Sequence, residues 1–171
     1  MTFYKVLRNN LIHNGFRYKL GLNVDTKPFN PEGSCESGGL YYTDLEGIAD
    51  FLSFGDLIAE VEPVGQIYAD PIGDRWKTDK LIVKNITPFY EWISKQSEEV
   101  QLDAIYHDFD NFLCISEPSE KVQISAVQRH GALIRYIDNP SEEVQMAAIS
   151  KDEYNIQFIK NPTKAVDRKS T

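Results

Sequence analysis

The C-terminal half of this 171-residue chain is patterned with a period of 22. Written from each Ser or Thr, it runs SEEVQLDAIYHDFDNFLCISEP, SEKVQISAVQRHGALIRYIDNP, SEEVQMAAISKDEYNIQFIKNP and then TKAV. Val100, Val122, Val144 and Val166 share one phase, Ala104, Ala126 and Ala148 a second, and Ile105, Val127 and Ile149 a third. Ile115, Ile137 and Ile159 make a fourth, and Pro118, Pro140 and Pro162 a fifth. Val, Ala and Ile at spacings of four and one form a narrow apolar stripe on a helix, and the small Ala lets a neighbouring helix come close. Ser97, Ser119, Ser141 and Thr163 are placed as N-caps, and Glu98, Glu99, Glu120, Glu142 and Glu143 complement the positive end of the helix dipole. A polar or Gly-containing corner follows each first helix, then a second short apolar segment that Pro stops. The predicted unit is helix, corner, helix, turn. One unit cannot cover its own apolar face, so units stack as a solenoid. The repeats fall at 97–118, 119–140 and 141–162, with a partial one at 163–171 and a first cap from Thr87 to Gln96.

Residues 1–86 lack this period. FYKVLR, FRYKL, LYYT, LIAEVEPV and KLIVKNI cluster or alternate β-branched and aromatic residues between Gly, Pro and Asn, as strands do. From Asp44 to Phe54, Leu45, Ile48, Ala49 and Leu52 keep α-helical spacing behind an Asp that can cap, and Gly55 supplies a stop. Pro71, Ile72 and Gly73 read as a turn. The fold class expected is α+β: a small mixed-sheet head, 1–86, packed on a helical repeat array, 87–171, with no flexible linker near Asn85 to Pro88.

Composition sharpens the functional side. Nine Phe, nine Tyr and two Trp argue for packed structure. No apolar run approaches the roughly 18 residues of a membrane span, and MTFYKVLRNN lacks a secretory h-region, so a cytoplasmic protein is expected. Cys35 and Cys114 stand outside any Cys-x-x-Cys or Cys/His cluster and read as two thiols, Cys114 in a helical core. Net charge is −8. Through Ile86 there are 9 basic and 12 acidic residues, and afterwards 9 and 14. A phosphate-holding protein needs a basic stripe; direct binding of nucleic acid or an anionic membrane is therefore not expected, whereas a basic protein partner suits the charge.

Two resemblances add to this reading. The repeats resemble short HEAT-like helical repeats with a PSEEVQLAAV consensus in proteins of large DNA viruses and bacteria, known as architecture without an assigned chemistry. The head, through Gly15, Phe16, Tyr18, Gly21 and Asn23, Ser34 and Cys35 before Gly38-Gly39-Leu40-Tyr41, and Trp76 and Lys80, resembles the domain that precedes ankyrin repeats in giant-virus proteins. A fainter likeness is chemical. His13, then Gly39-Leu40-Tyr41-Tyr42-Thr43-Asp44, then Leu57-Ile58-Ala59-Glu60-Val61-Glu62 looks like the corresponding segments of ADP-ribosyltransferases. That resemblance implies that His13 and Tyr41 cradle the nicotinamide side of NAD and that a Glu orients the ribose. Asn14 interrupts the usual His-Gly pair, and no Glu stands in Trp76 to Ile86, leaving Glu62 as the carboxylate only under another alignment.

The blander readings compete at each position. Tyr41 and Tyr42 alternate along a strand, which alone buries one ring. Glu60 and Glu62 share a strand face as a solvated edge, and His13 sits in a polar loop-like context. His107 and His130 are one position out of phase, so metal binding has no support. Ser37 to Gly39 lacks the basic residue of a phosphate loop. The expected function is that of a viral or phage accessory protein that binds a basic host protein through the corner residues His107, Asp108, Arg129, His130, Lys151 and Asp152, with interference in host defence as one use. These vary among repeats while the core phases stay fixed. The alternatives are an NAD-binding or NAD-transferring head, with His13, Tyr41 and Glu62 meeting in one cleft, and an acidic mimic of nucleic acid that blocks a basic host protein.

Overall fold

The computed structural model describes residues 1–32, 36–71 and 75–169. Ser34 and Cys35 of the head motif, and Ile72 and Gly73 of the expected turn, lie outside the described residues. The chain divides into two compact units, Met1–Trp92 and Ile93–Thr171. The first is a small β-sheet domain, and the second is a helical repeat array.

The head contains strands β1 (Phe3–Leu7), β2 (Ile12–His13), β3 (Phe16–Arg17), β4 (Gly21–Val24), β5 (Leu40–Tyr42), β6 (Leu57–Pro63), β7 (Ile67–Ala69), β8 (Trp76–Thr78) and β9 (Lys80–Pro88). They form a four-stranded sheet in the order β1-β6-β9-β4, a three-stranded sheet β5-β8-β7 and the hairpin β2-β3, with antiparallel pairing throughout the described strands. Tyr4 and Thr43 exchange two backbone hydrogen bonds and so tie β1 to the end of β5. The core between the sheets holds Leu7, Tyr18, Leu40, Tyr42, Ala59, Val61, Leu81 and Val83. Within it Phe3 meets Tyr42 and Trp76 edge-on, with ring centroids 5.1 and 5.6 Å apart, the geometry aromatic quadrupoles favour.

The segment expected as an α-helix from Asp44 is a 3₁₀ helix, Ile48–Phe54. Asp44 does cap, but it caps the preceding turn: its Oδ1 accepts from the backbone N–H groups of Glu46 and Gly47. Ile48, Phe51 and Phe54 recur every third residue, the 3₁₀ period. Gly55 is needed for a reason other than helix stopping. Its backbone is extended, and a Cβ there would lie 2.2 Å from the Leu7 carbonyl oxygen.

Helix α1 (Phe89–Ile93) precedes the array, whose helices are α2 (Glu98–His107), α3 (Glu120–Arg129), α4 (Glu142–Lys151) and α5 (Lys164–Lys169). Their starts step by 22. Ser97, Ser119, Ser141 and Thr163 each accept from the backbone N–H three residues on, at 3.3–3.5 Å. Val122, Val144 and Val166, together with Ala126 and Ala148, are fully buried in the stack.

The second helix of each repeat departs from the α-helical expectation. It is a six-residue 3₁₀ helix: Phe109–Cys114, Gly131–Tyr136 and Glu153–Phe158. Ile115, Ile137 and Ile159 follow these helices in extended conformation, each donating its backbone N–H to the carbonyl three residues back, on Phe112, Ile134 or Ile156, the i→i+3 bond of a 3₁₀ turn. A further phase, Gln101, Gln123 and Gln145, closes each unit. Each amide donates to the carbonyl of the residue before the N-cap, Gln96, Pro118 or Pro140, so a polar side chain at the stack is satisfied. Gly131 faces Asn155, whose amide donates to the Ala148 carbonyl at 3.0 Å. A Cβ on Gly131 would lie 2.0 Å from that nitrogen. Cys114 is half-buried at the end of the first 3₁₀ helix.

Candidate functional site

In the head, Asn14 and Gly15 join β2 to β3 with φ of 50° and 79°. Asn-Gly with both φ positive is the two-residue turn that matches strand twist. It fixes His13 opposite Phe16. The residue that interrupts a His-Gly pair is thus the first residue of a hairpin turn. His13 and Tyr41, from different strands, line one pocket of about 310 Å³ together with Tyr4, Lys5, Thr43, Phe51, Phe54 and Arg75. A second cavity of about 440 Å³ shares Lys5, His13, Asn14 and Tyr41 with it.

Lys5 is 4% exposed, with its Nζ donating to the Tyr41 carbonyl at 2.7 Å and lying 4.8 Å from the Tyr18 ring centroid. Burial away from water lowers its pKa to about 7. His13 is pushed down to about 4, first by desolvation and then by the positive charges of Lys5 and Arg8, so its imidazole is neutral at pH 7. Lys77, fully buried, donates to the Glu32 carbonyl, and its Nζ lies 5.6 Å from the Tyr41 ring. Arg75 sits over Phe51 at 5.7 Å and pairs with Asp70 at 3.3 Å. Among the described residues, those lining the 310 Å³ pocket include no Asp or Glu.

Glu62 lies outside both cavities. It is exposed on β6 and pairs with Lys84 of β9 at 2.6 Å. The structure therefore brings two of the three transferase-like positions together and leaves the third on the strand face. A neutral imidazole, a phenol, aromatic walls and cationic groups can hold a planar ligand. Strand alternation carried an unused sign of Lys5: it shares the inward phase of β1 with Leu7. Phe51, Phe54 and Arg75 had no such sign, because they reach the pocket through the 3₁₀ helix and the segment before β8.

In the array, the six corner residues lie on the edge where each α-helix ends and each 3₁₀ helix begins. His107, Arg129 and Lys151 occupy one phase in the last turn of α2, α3 and α4, where the Arg129 and Lys151 cations complement the negative end of the dipole. Asp108 and Asp152 cap the following 3₁₀ helices by accepting from the N–H groups of Asp110 and Tyr154. His130, in the same phase, stacks on Phe109 with centroids 4.8 Å apart. His107 lies 3.8 Å from Asp103. Arg129 donates to the Tyr106 carbonyl at 2.6 Å and covers the Tyr106 ring at 4.7 Å. Tyr106 is 65% exposed and Tyr154 80%. The opposite edge, formed by the helix N-termini, carries Glu98, Glu99, Glu120, Glu142 and Glu143. Among the described residues no group of three or more His, Cys, Asp or Glu side chains is arranged to hold a metal ion, and no described helix is long and apolar enough to cross a membrane.

No protein family and no solved structure matches the chain. Its similarity is to mimivirus proteins. It is 30% identical over 88 residues to R868 of Acanthamoeba polyphaga mimivirus, which is named as an ankyrin repeat protein, covering 47% of this chain and 44% of that protein. It is 32% identical over 77 residues to R229, similarly named, covering 40% of this chain and 25% of that one. With the uncharacterised mimivirus protein R869 it shares 36% identity over 61 residues, 34% of this chain and 44% of that protein. The chain spans less than half the length of these relatives. Its own period of 22 differs from the 33 residues or so of an ankyrin repeat. The chain therefore has a distant, partial similarity to uncharacterised giant-virus repeat proteins.

Proposed function

We propose that this chain is a viral accessory protein that binds a protein partner of the host through its repeat array. The observation that carries the reading is the corner edge, where Arg129 is stacked on the exposed ring of Tyr106 and Tyr154 stands exposed on the neighbouring corner. Tyr and Arg are the residues that protein interfaces use as anchors, and here an internal hydrogen bond holds the Arg in place before any partner arrives. The similarity to giant-virus repeat proteins supports a viral setting. The acidic edge of helix N-termini favours a basic partner, whose binding would weaken as salt rises.

Affinity capture from host-cell lysate with the full chain tests this. A protein retained by the native chain and lost from Arg129→Glu and Tyr154→Ala variants supports the corner edge. Retention by both variants, or a partner indifferent to salt, refutes the assignment.

A second reading is favoured by the meeting of His13 and Tyr41 in one aromatic pocket. In it the head binds a small planar ligand, NAD being the one the transferase resemblance suggests, without turning it over. Calorimetric titration with NAD is the test: heat that disappears in Tyr41→Ala, with no nicotinamide released, supports it. No heat from the native chain ends it.

A further inference from the structure

The turns between repeats form two grooves that are copies of each other at the repeat period. Ile115, Pro118 and Tyr136 in the first become Ile137, Pro140 and Phe158 in the second. Their volumes are about 600 and 240 Å³. Each has an aliphatic floor, a proline and an aromatic ring, and the ring of the first, Tyr136, is 59% exposed. The grooves differ in charge. The charged residues lining the first are Glu117 and Asp138; the second adds Arg135 and Lys160 beside Asp138. Arg135 lies 3.9 Å over the Phe158 ring, and Lys160 is 3.7 Å from Asp138 with both side chains mostly in solvent, where such a pair contributes little and readily exchanges partners.

Packed helices lie about 8–10 Å apart, which is the spacing expected of grooves one repeat apart. A β-strand places residues i and i+3 on opposite faces. A polyproline II segment has three residues per turn and rises about 3.1 Å per residue, which returns the side chain at i+3 to the same face about 9 Å away. Aromatic-lined grooves with flat apolar floors are what such segments dock against.

Resting on the reading that the array binds protein, we propose that the inter-repeat grooves take a proline-rich polyproline II segment. Its Lys or Arg lies in the first groove and its Asp or Glu, three residues away, in the second. The stem of the basic residue packs along Tyr136 while its head meets Glu117 and Asp138. The acidic residue meets Arg135 and Lys160.

The test is fluorescence anisotropy of the full chain with short labelled polyproline peptides carrying one Arg and one Glu. The two are separated by two, three or four positions, in both orders. One order at a separation of three is expected to bind about tenfold more tightly than separations of two or four, the scale of one interface anchor. The double variant Glu117→Lys and Asp138→Lys, at exposed positions, is expected to lose that preference, and Arg129→Glu to keep it. Equal binding at all separations, or an unaltered preference in the double variant, overturns the proposal. Absence of peptide binding overturns it too, and the capture experiment then separates the cases: a protein still lost with Arg129→Glu leaves the corner reading standing, and no captured protein removes both.

Discussion

Lys5 makes the head domain's stability depend on alkaline pH in a way that one substitution should erase. The ammonium is buried between Tyr18 and the Tyr41 carbonyl, and the carboxylates among the described residues lining its two cavities, Asp25 and Glu36, accept from Gly39 and Asn30. Its pKa falls from 10.5 to about 7. The sign follows from linkage: between those values the unfolded chain holds a proton that the folded chain has released, so stability rises with pH. At about 1.4 kcal/mol per pH step of full proton difference, the gain between pH 7 and 10 is roughly 3 kcal/mol. Tyr18 and Tyr42 both titrate at raised pKa in the fold, so they pull stability down only above about pH 10. Urea unfolding of the native chain and Lys5→Met at pH 7, 8.5 and 10, analysed by linear extrapolation, isolates the effect. Losing the hydrogen bond to Tyr41 lowers the variant's stability by the same amount at every pH; it leaves the slope untouched. Parallel pH curves for the two proteins would show that Lys5 stays charged in the fold and that the reasoning is wrong.

Other outcomes follow from the same geometry. His13, half-buried and lowered to about 4, should cost the head about 1–2 kcal/mol as pH falls from 6.5 to 4, after allowance for solvent, and His13→Asn should remove that acid-side loss in a urea titration. Gly131→Ala should destabilise the array by about 1–3 kcal/mol, although Gly→Ala normally stabilises through the unfolded state; denaturant midpoints decide. Ser141→Ala should cost about 1 kcal/mol as a lost N-cap, read in the same assay, and a neutral result would mean that its long 3.3 Å bond contributes nothing. Gly55→Ala should cost more than either, because its Cβ would meet backbone at Leu7, and thermal unfolding by circular dichroism would show it.

The array was legible because every unit repeats the same local signals. Caps, stripe and proline are each short-range, and three copies in phase separate them from chance. The 3₁₀ character of the second segments was not legible, because in six residues an apolar spacing of three fits an α-helix as well as a 3₁₀ helix. The glutamine phase is as regular as the valine phase. A polar residue in an apolar stripe reads as solvent-facing until its carbonyl partner is known. The head was legible as strands and not as topology, since which strands pair depends on contacts far apart in sequence. His13 and Tyr41 meet because β1 bridges to the end of β5, and nothing local to either residue announces that.

The strict translation of the array also shapes how it can change. Each 22-residue unit carries its own cap, stripe, glutamine closure and terminal proline, so each junction is built from the same set of local parts. Duplicating or deleting one whole unit would keep caps, stripes and prolines in phase, while contacts special to one junction, such as Phe109 on His130 or Gly131 against Asn155, would be replaced. Inserting any other number of residues inside a unit would put a cap where a stripe belongs. Change in whole units is therefore the change that disturbs the buried stripe least, and it alters the length of the array separately from the residues at each corner.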